Sequence, residues 1–292
     1  MITHSGESQR SWIWDLLYEM EEEFYEYEEV YGGEVVNDYP DELWIHVNGI
    51  LNTLGQAKGT CKDMYEMFGR PVKLLHNPTD GPLLDLTECM MGKTGLLRRG
   101  YTGPRKLLRD KLENEIMNKD YKKIVVVAHS QGTIITGNVL SDLNDIVDGI
   151  DSEDGRYTLE ERKTLEKNMK KLEVYLIAPA AHIASGKHIN HLECISNRGD
   201  VVAVLGHLFP DCLKPFWRNT RGDGIRYLLD KDNCHVENAN WGHTLRFHYF
   251  DPMEEGCFKN SKLQSYLVKK KNPEGEKVVA LETSKLLTGG KA

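Results

Sequence analysis

No stretch of this chain is apolar for long enough to cross a bilayer as a helix. The opening residues, MITHSGESQR, lack the apolar run of a secretory leader, so a cytoplasmic address is the expectation, with export by an unadvertised route left open. Cationic excess is missing too: 37 Lys and Arg stand against 45 Asp and Glu, a formal net charge of -8. A field of that sign does not favour nucleic-acid backbones or anionic membrane surfaces. Six cysteines (Cys61, Cys89, Cys194, Cys212, Cys234 and Cys257) are scattered without a CxxC pair. That spacing indicates neither a disulfide framework nor a zinc site, and free thiols in a reducing compartment are the simplest reading. There is no GxGxxG and no GxxxxGK followed by Ser or Thr, so the usual phosphate-cradling loops are absent. Internal repeats are lacking, and nothing asks for a cofactor or a metal.

What is there suits one large domain over residues 1–292. With 40% apolar and 28% charged residues, the chain has the material for a deep core and is too apolar for a disordered one. An acidic helix is expected over 12–29, with Trp14, Tyr18 and Tyr25 as a docking face, ended by Gly32 and Gly33. A strand over 43–50, a helix over 60–68 and a strand over 72–77 give the strand–helix–strand rhythm of a parallel sheet. Residues 78–104 read as a long loop, a lid or substrate wall, with Met90 and Met91 as apolar lining; an ordinary surface excursion is the alternative. A helix over 106–117 leads to a strand over 124–128. Beyond it come a helix spaced to pack on a sheet, a charged helix from Thr158 to Lys171 with Thr158 and Glu161 as a capping box, and strands over 172–179 and 191–197. A short strand is expected over 232–237, while 243–249 begins either a helix or a strand. The lysine-rich 270–292 is a peripheral tail.

Chemistry concentrates in KKIVVVAHSQGTIITG, Lys122 to Gly137. A β-branched run stops at Ala128, Ser130 follows, and an apolar series at helical spacing comes after Gly132. A serine hydroxyl needs a nearby base and donors for the developing oxyanion. A strand–turn–helix lifts the side chain clear of the sheet and aims the Gln131 amide and the helix start at that oxyanion. In Ala128-His129-Ser130-Gln131-Gly132, small residues sit two before and two after the serine, where backbone meets backbone.

On these residues the chain resembles the α/β-hydrolases, with the Ala-x-Ser-x-Gly elbow of some lipases and esterases; Ala128 stands where glycine is usual. The resemblance spans roughly 43–250. It implies a mostly parallel central sheet with helices on both faces, a three-layer α/β sandwich. It also implies an oxyanion loop after an early strand, here His46-Val47-Asn48-Gly49-Ile50. The Ile50 amide is the expected second donor, with Gly49 or Leu51 as alternatives, and Asn48 orients the loop; a plain Asn-Gly turn is the bland reading. An acid should follow a late strand, and Asp200 in SNRGDVV fits, with Asp211, Asp230 and Asp232 as rivals. The base is then His243 in WGHT, with His235 the rival and His248 more distant. His129 lines the pocket or holds neighbouring loops. His182, His188 and His191 cluster in sequence, but without a carboxylate set they do not read as a metal site.

The function so implied is a serine esterase or lipase-like hydrolase acting on a small-molecule or lipid acyl ester through Ser130, His243 and Asp200. A thioesterase or amidase would use the same residues. A non-catalytic hydrolase-like binding protein and a nucleotide-binding α/β protein are the readings from other classes. No integral membrane segment and no nucleic-acid partner are expected, and protein partners are not specified by these residues.

Overall fold

The computed structural model describes residues 28–31, 38–49, 52–77, 103–150, 157–180, 186–204, 234–237, 241–258 and 260–268. Strands β1 (Glu28–Tyr31), β2 (Glu42–Val47), β3 (Val72–Leu75), β4 (Lys123–His129), β5 (Leu172–Ile177), β6 (His191–Asn197) and β7 (Cys234–Glu237) form one sheet in the order β1-β3-β2-β4-β5-β6-β7. From β3 across to β7 all neighbours are parallel, and β1 closes the β3 edge antiparallel, Glu28 facing Leu75. The chain goes from β2 outward to β3, then crosses back to place β4 on the other side of β2. Such a reversal opens a crevice at the carboxyl ends of the strands, the usual place for a site in open α/β sheets.

Helices α1 (Leu54–Phe68), α2 (Gly103–Met117), α3 (Gln131–Asp148) and α4 (Leu159–Met169) cover the two faces. Strand side chains alternate between faces and so feed two cores. Ile45, Val126, Ala128 and Val174 pack with Leu112 of α2, Val139 and Leu143 of α3 and Leu165 of α4. Trp44, Val125, Val127 and Ile195 pack with Met64 and Phe68 of α1 and with Tyr249, Phe250, Phe258 and Leu263 from the end of the described chain. This is the three-layer topology of the α/β-hydrolases. Among the described residues no helix is long and apolar enough to cross a membrane. Cys61, Cys194 and Cys257 carry free thiols.

Several element boundaries differ from expectation. The helix expected from Thr60 begins at Leu54, because Thr53 and Gln56 form a reciprocal capping box; it ends at Gly69, whose φ of 66° turns the chain. The helix expected from Lys106 starts at Gly103. Residues Glu28 and Glu29, assigned to an acidic helix, lie instead in edge strand β1; the rest of 12–29 lies outside the described residues. The undecided 243–249 segment becomes helical from Leu245: a π-helical turn Arg246–Phe250 runs into α6 (Asp251–Glu254), after the short α5 (Val201–Ala203). The 78–104 loop up to 102, with Met90 and Met91, and the 270–292 tail lie outside the described residues, as do Ile50 and Leu51.

Candidate active site

β4 is Ile-Val-Val-Val-Ala at its heart, wholly buried, and it delivers the chain to Ser130 at the carboxyl edge of the sheet. Ser130 has φ 54° and ψ -122°, a conformation that L-residues avoid and that concentrates at functional turns. Its amide donates to the Ile177 carbonyl of β5 at 3.1 Å, and α3 starts at the next residue. The turn is packed against the exit of β2. A methyl group on Gly132 would lie 2.5 Å from the Val47 carbonyl oxygen and 2.8 Å from that of Asn48. One on Gly49 would lie 2.6 Å from the Ser130 Cβ. Gly132 leaves room for the backbone of the β2 exit, and Gly49 leaves room for the Ser130 side chain.

The β2 exit is tied down by amides. Asn48, buried, donates to the Gly49 and Asn77 carbonyls, each at 2.9 Å, and its side-chain oxygen accepts from the Asn77 amide at 2.7 Å. The Asn77 side chain donates to Gln131 Oε1 at 2.6 Å. Asn48 therefore orients the loop beside the serine, with Gly49 touching Ser130. Asn77 links this loop to the start of α3, a connection the sequence reading missed.

Three side chains expected to cooperate form one hydrogen-bonded line. Ser130 Oγ lies 2.7 Å from His243 Nε2, and His243 Nδ1 lies 2.7 Å from Asp200 Oδ2. An ionised carboxylate only accepts, so Nδ1 carries the ring proton and Nε2 is left to accept from the serine hydroxyl. Asp200 is fully buried at the N-cap of α5, where its Oδ1 accepts from the Val202 amide at 2.9 Å and the Ala203 amide at 3.2 Å. Its Oδ2 also accepts from the Tyr249 hydroxyl at 2.6 Å. Burial alone would raise this carboxyl group, but the hydrogen bond and charge of His243, then Tyr249 and the Ala203 amide, hold it below its ordinary value.

His129 lies beside the His243 ring, centroids 4.8 Å apart and planes at 31°, and its Nε2 donates to the His243 carbonyl at 3.1 Å. It holds the loop that carries His243. Burial first, then repulsion from His243 and His46, depresses His129 well below the ordinary histidine value. His46, whose Nδ1 donates to the Val127 carbonyl at 3.0 Å, is lowered by burial to about 4. Both rings are neutral at pH 7.

The rival histidines are occupied elsewhere. His248 meets the Trp241 carbonyl at 2.8 Å and the Thr244 hydroxyl at 2.7 Å, bracing the loop that carries His243. His235 faces Glu193 at 3.7 Å. His188 pairs with Asp148 and His191 with Glu193; His182 lies outside the described residues, as do Asp211, Asp230 and Asp232. Among the described residues no cluster of three or more His, Cys, Asp or Glu side chains is arranged to hold a metal ion. Tyr249 is the other contributor that sequence reasoning missed: it sits in LRFHYF, 49 positions from Asp200, with no local pattern to betray the contact.

Comparison with known protein families finds none that matches the chain, and comparison with curated proteins finds no significant relative. The arrangement itself, a parallel sheet flanked by helices with a Ser-His-Asp line at its carboxyl edge, is consistent with the α/β-hydrolase fold and supports serine-hydrolase chemistry in general.

Proposed function

We propose that the chain is a serine hydrolase of the esterase or lipase type, cleaving a carboxylic ester through an acyl-enzyme. The observation that carries this reading is the Ser130–His243–Asp200 hydrogen-bonded line, set on a strained strand-to-helix turn. In this reading His243 Nε2 takes the Ser130 proton as Oγ attacks the ester carbonyl carbon. Asp200 holds the ring and stabilises the imidazolium. The Gln131 amide at the start of α3, with the amide of Ile50 or Gly49 after β2, accommodates the oxyanion. His243 then protonates the leaving alcohol, and water activated by the same nitrogen releases the acid and restores Ser130.

The Ala-His-Ser-Gln-Gly elbow favours an ester of the lipase class over other acyl compounds. Thioester and amide cleavage would use the same groups. Incubation with a fluorophosphonate should label Ser130, and Ser130→Ala should abolish labelling. Hydrolysis of p-nitrophenyl esters of graded chain length, beside a thioester and an anilide, should fall roughly ten thousand- to a million-fold in that variant. Equal turnover in parent and variant would end the hydrolase reading and leave the hydrolase-like binding protein.

A further inference from the structure

The carboxylate of Asp200 receives four donors, and they are not equivalent. Two backbone amides on Oδ1 belong to the cap of α5. On Oδ2 two side chains compete, His243 Nδ1 at 2.7 Å and the Tyr249 hydroxyl at 2.6 Å. The Tyr249 oxygen itself accepts from the Asn197 amide at 3.3 Å, which leaves its hydrogen directed at Oδ2. The ring is wholly buried in the α1 face of the sheet, in a T-shaped contact with His129, so the hydroxyl has no path to solvent.

We propose that Tyr249 is a positioning residue for the acid–base pair: by sharing the Asp200 oxygen that receives His243, its hydroxyl fixes the rotation of the carboxylate and restrains its hold on the imidazolium. This rests on the triad reading and deepens it. An oxygen that already accepts a short bond from a phenol offers less negative charge to a second donor. The restraint matters in both directions of proton transfer. A carboxylate that grips the imidazolium too tightly makes His243 slow to return the proton to the leaving alcohol, and one that rotates freely loses the ring's orientation. Burial and the adjacent Asp200 charge push the phenol far above its ordinary range, so it remains a donor throughout any assay.

The titratable groups facing His243 are Asp200 from the β6–α5 turn, Ser130 and His129 from β4 and its turn with His46 behind them on β2, and Tyr249 from the π-helical turn. His129 and His46 are neutral above pH 6.5 and add no charge there. The test is Tyr249→Phe, which keeps the buried ring, read by the pH profile of fluorophosphonate labelling and by the downfield Nδ1 proton resonance of His243. Labelling at pH 7 should slow roughly 10-fold, the acid limb of the labelling profile should shift to higher pH, and the resonance should move further downfield. In an Asp200→Asn background the same substitution should change labelling by less than about 2-fold, since the two residues act through one contact. An unmoved acid limb and resonance, or a full-sized effect in the Asp200→Asn background, would overturn the proposal and reduce Tyr249 to packing. If Ser130 of the parent is not labelled at all, the hydrolase reading fails, while the His243 resonance still decides whether Tyr249 tunes the pair.

Discussion

Gly132 and Ser130 divide the demands of one turn in an unexpected way. Ser130 takes the positive φ of 54° although it is not glycine, whereas Gly132 lies outside that region and is glycine for space alone. The obstructing atoms around Gly132 are backbone atoms of Val47 and Asn48 at the exit of β2, which cannot swing aside as a flexible side chain can. Gly132→Ala should therefore push α3 away from β2, cost about 1–3 kcal/mol in urea unfolding and remove most Ser130 labelling. Gly49→Ala meets the Ser130 side chain itself and should damage labelling more than stability. A stable, fully labelled Gly132→Ala protein would show that the elbow tolerates a wider gap than the geometry states. Residues of this kind are legible in sequence, because a turn writes its steric needs into its immediate neighbours. Ser130, Gly132, Asp200 and His243 each stand in such a local signature. Asn77 and Tyr249 do not: the first meets Gln131 across 54 positions and the second meets Asp200 across 49, and a single Asn or Tyr looks the same with or without that partner.

Among the elements, α1 shows why boundaries are harder to read than existence. Its last turns carry the apolar pattern Cys61, Met64, Met67 and Phe68, but its first turns hold Gly55 and Gly59, which lower helix propensity by about 1 kcal/mol each against alanine. Their cost is offset by the capping box of Thr53 and Gln56 and by burial of Ala57 against the sheet. The capping box at Thr158 and Glu161 was visible because a charged helix with clean propensity followed it. Two outcomes test this account by thermal or urea unfolding. Thr53→Ala should lower stability by about 1 kcal/mol. Gly59→Ala has nothing within 4 Å of the new methyl group and should raise stability by roughly 0.5–1 kcal/mol without touching labelling. The opposite sign expected for alanine at Gly132 and at Gly59 separates a glycine kept for space from one that is merely tolerated. The edge strand β1 is hidden in the sequence for a related reason. Glu28 and Glu29 end an acidic run, and only the antiparallel pairing with β3, distant in sequence, makes that segment extended.

Across the whole molecule the two faces of the sheet carry different electrostatic loads. The strand side chains packed under α2, α3 and α4 form an apolar cluster, and that strand pattern makes the parallel sheet readable in the sequence. The α1 face buries His46 and His129 within its hydrophobic layer, together with Glu173, which is tied to Lys262 at 2.7 Å and to the hydroxyls of Tyr175 and Tyr266. The two histidines are depressed, so their unfolded forms bind protons first, near the ordinary value of 6.5. Stability from their neutral burial is complete above that pH. It declines as pH falls, and for His46 the loss is complete near its folded value of about 4, at up to about 1.4 kcal/mol per pH unit for each ring. Asp200 and Glu173 are also depressed, despite burial that pushes the other way, so their contribution holds through this window and is lost below the ordinary carboxylate range. Acid sensitivity should thus begin with histidine, in two stages. Urea midpoints measured from pH 8 downward should stay level to about 7, fall between 6.5 and 4.5, and fall again below 4. His46→Gln, which cannot gain a proton, should leave the first decline about one proton shallower and the second unchanged. A midpoint that is flat from pH 7 to 5 would mean that water reaches these rings, and the sealed α1 face on which the Asp200–His243 pair rests would have to be redrawn.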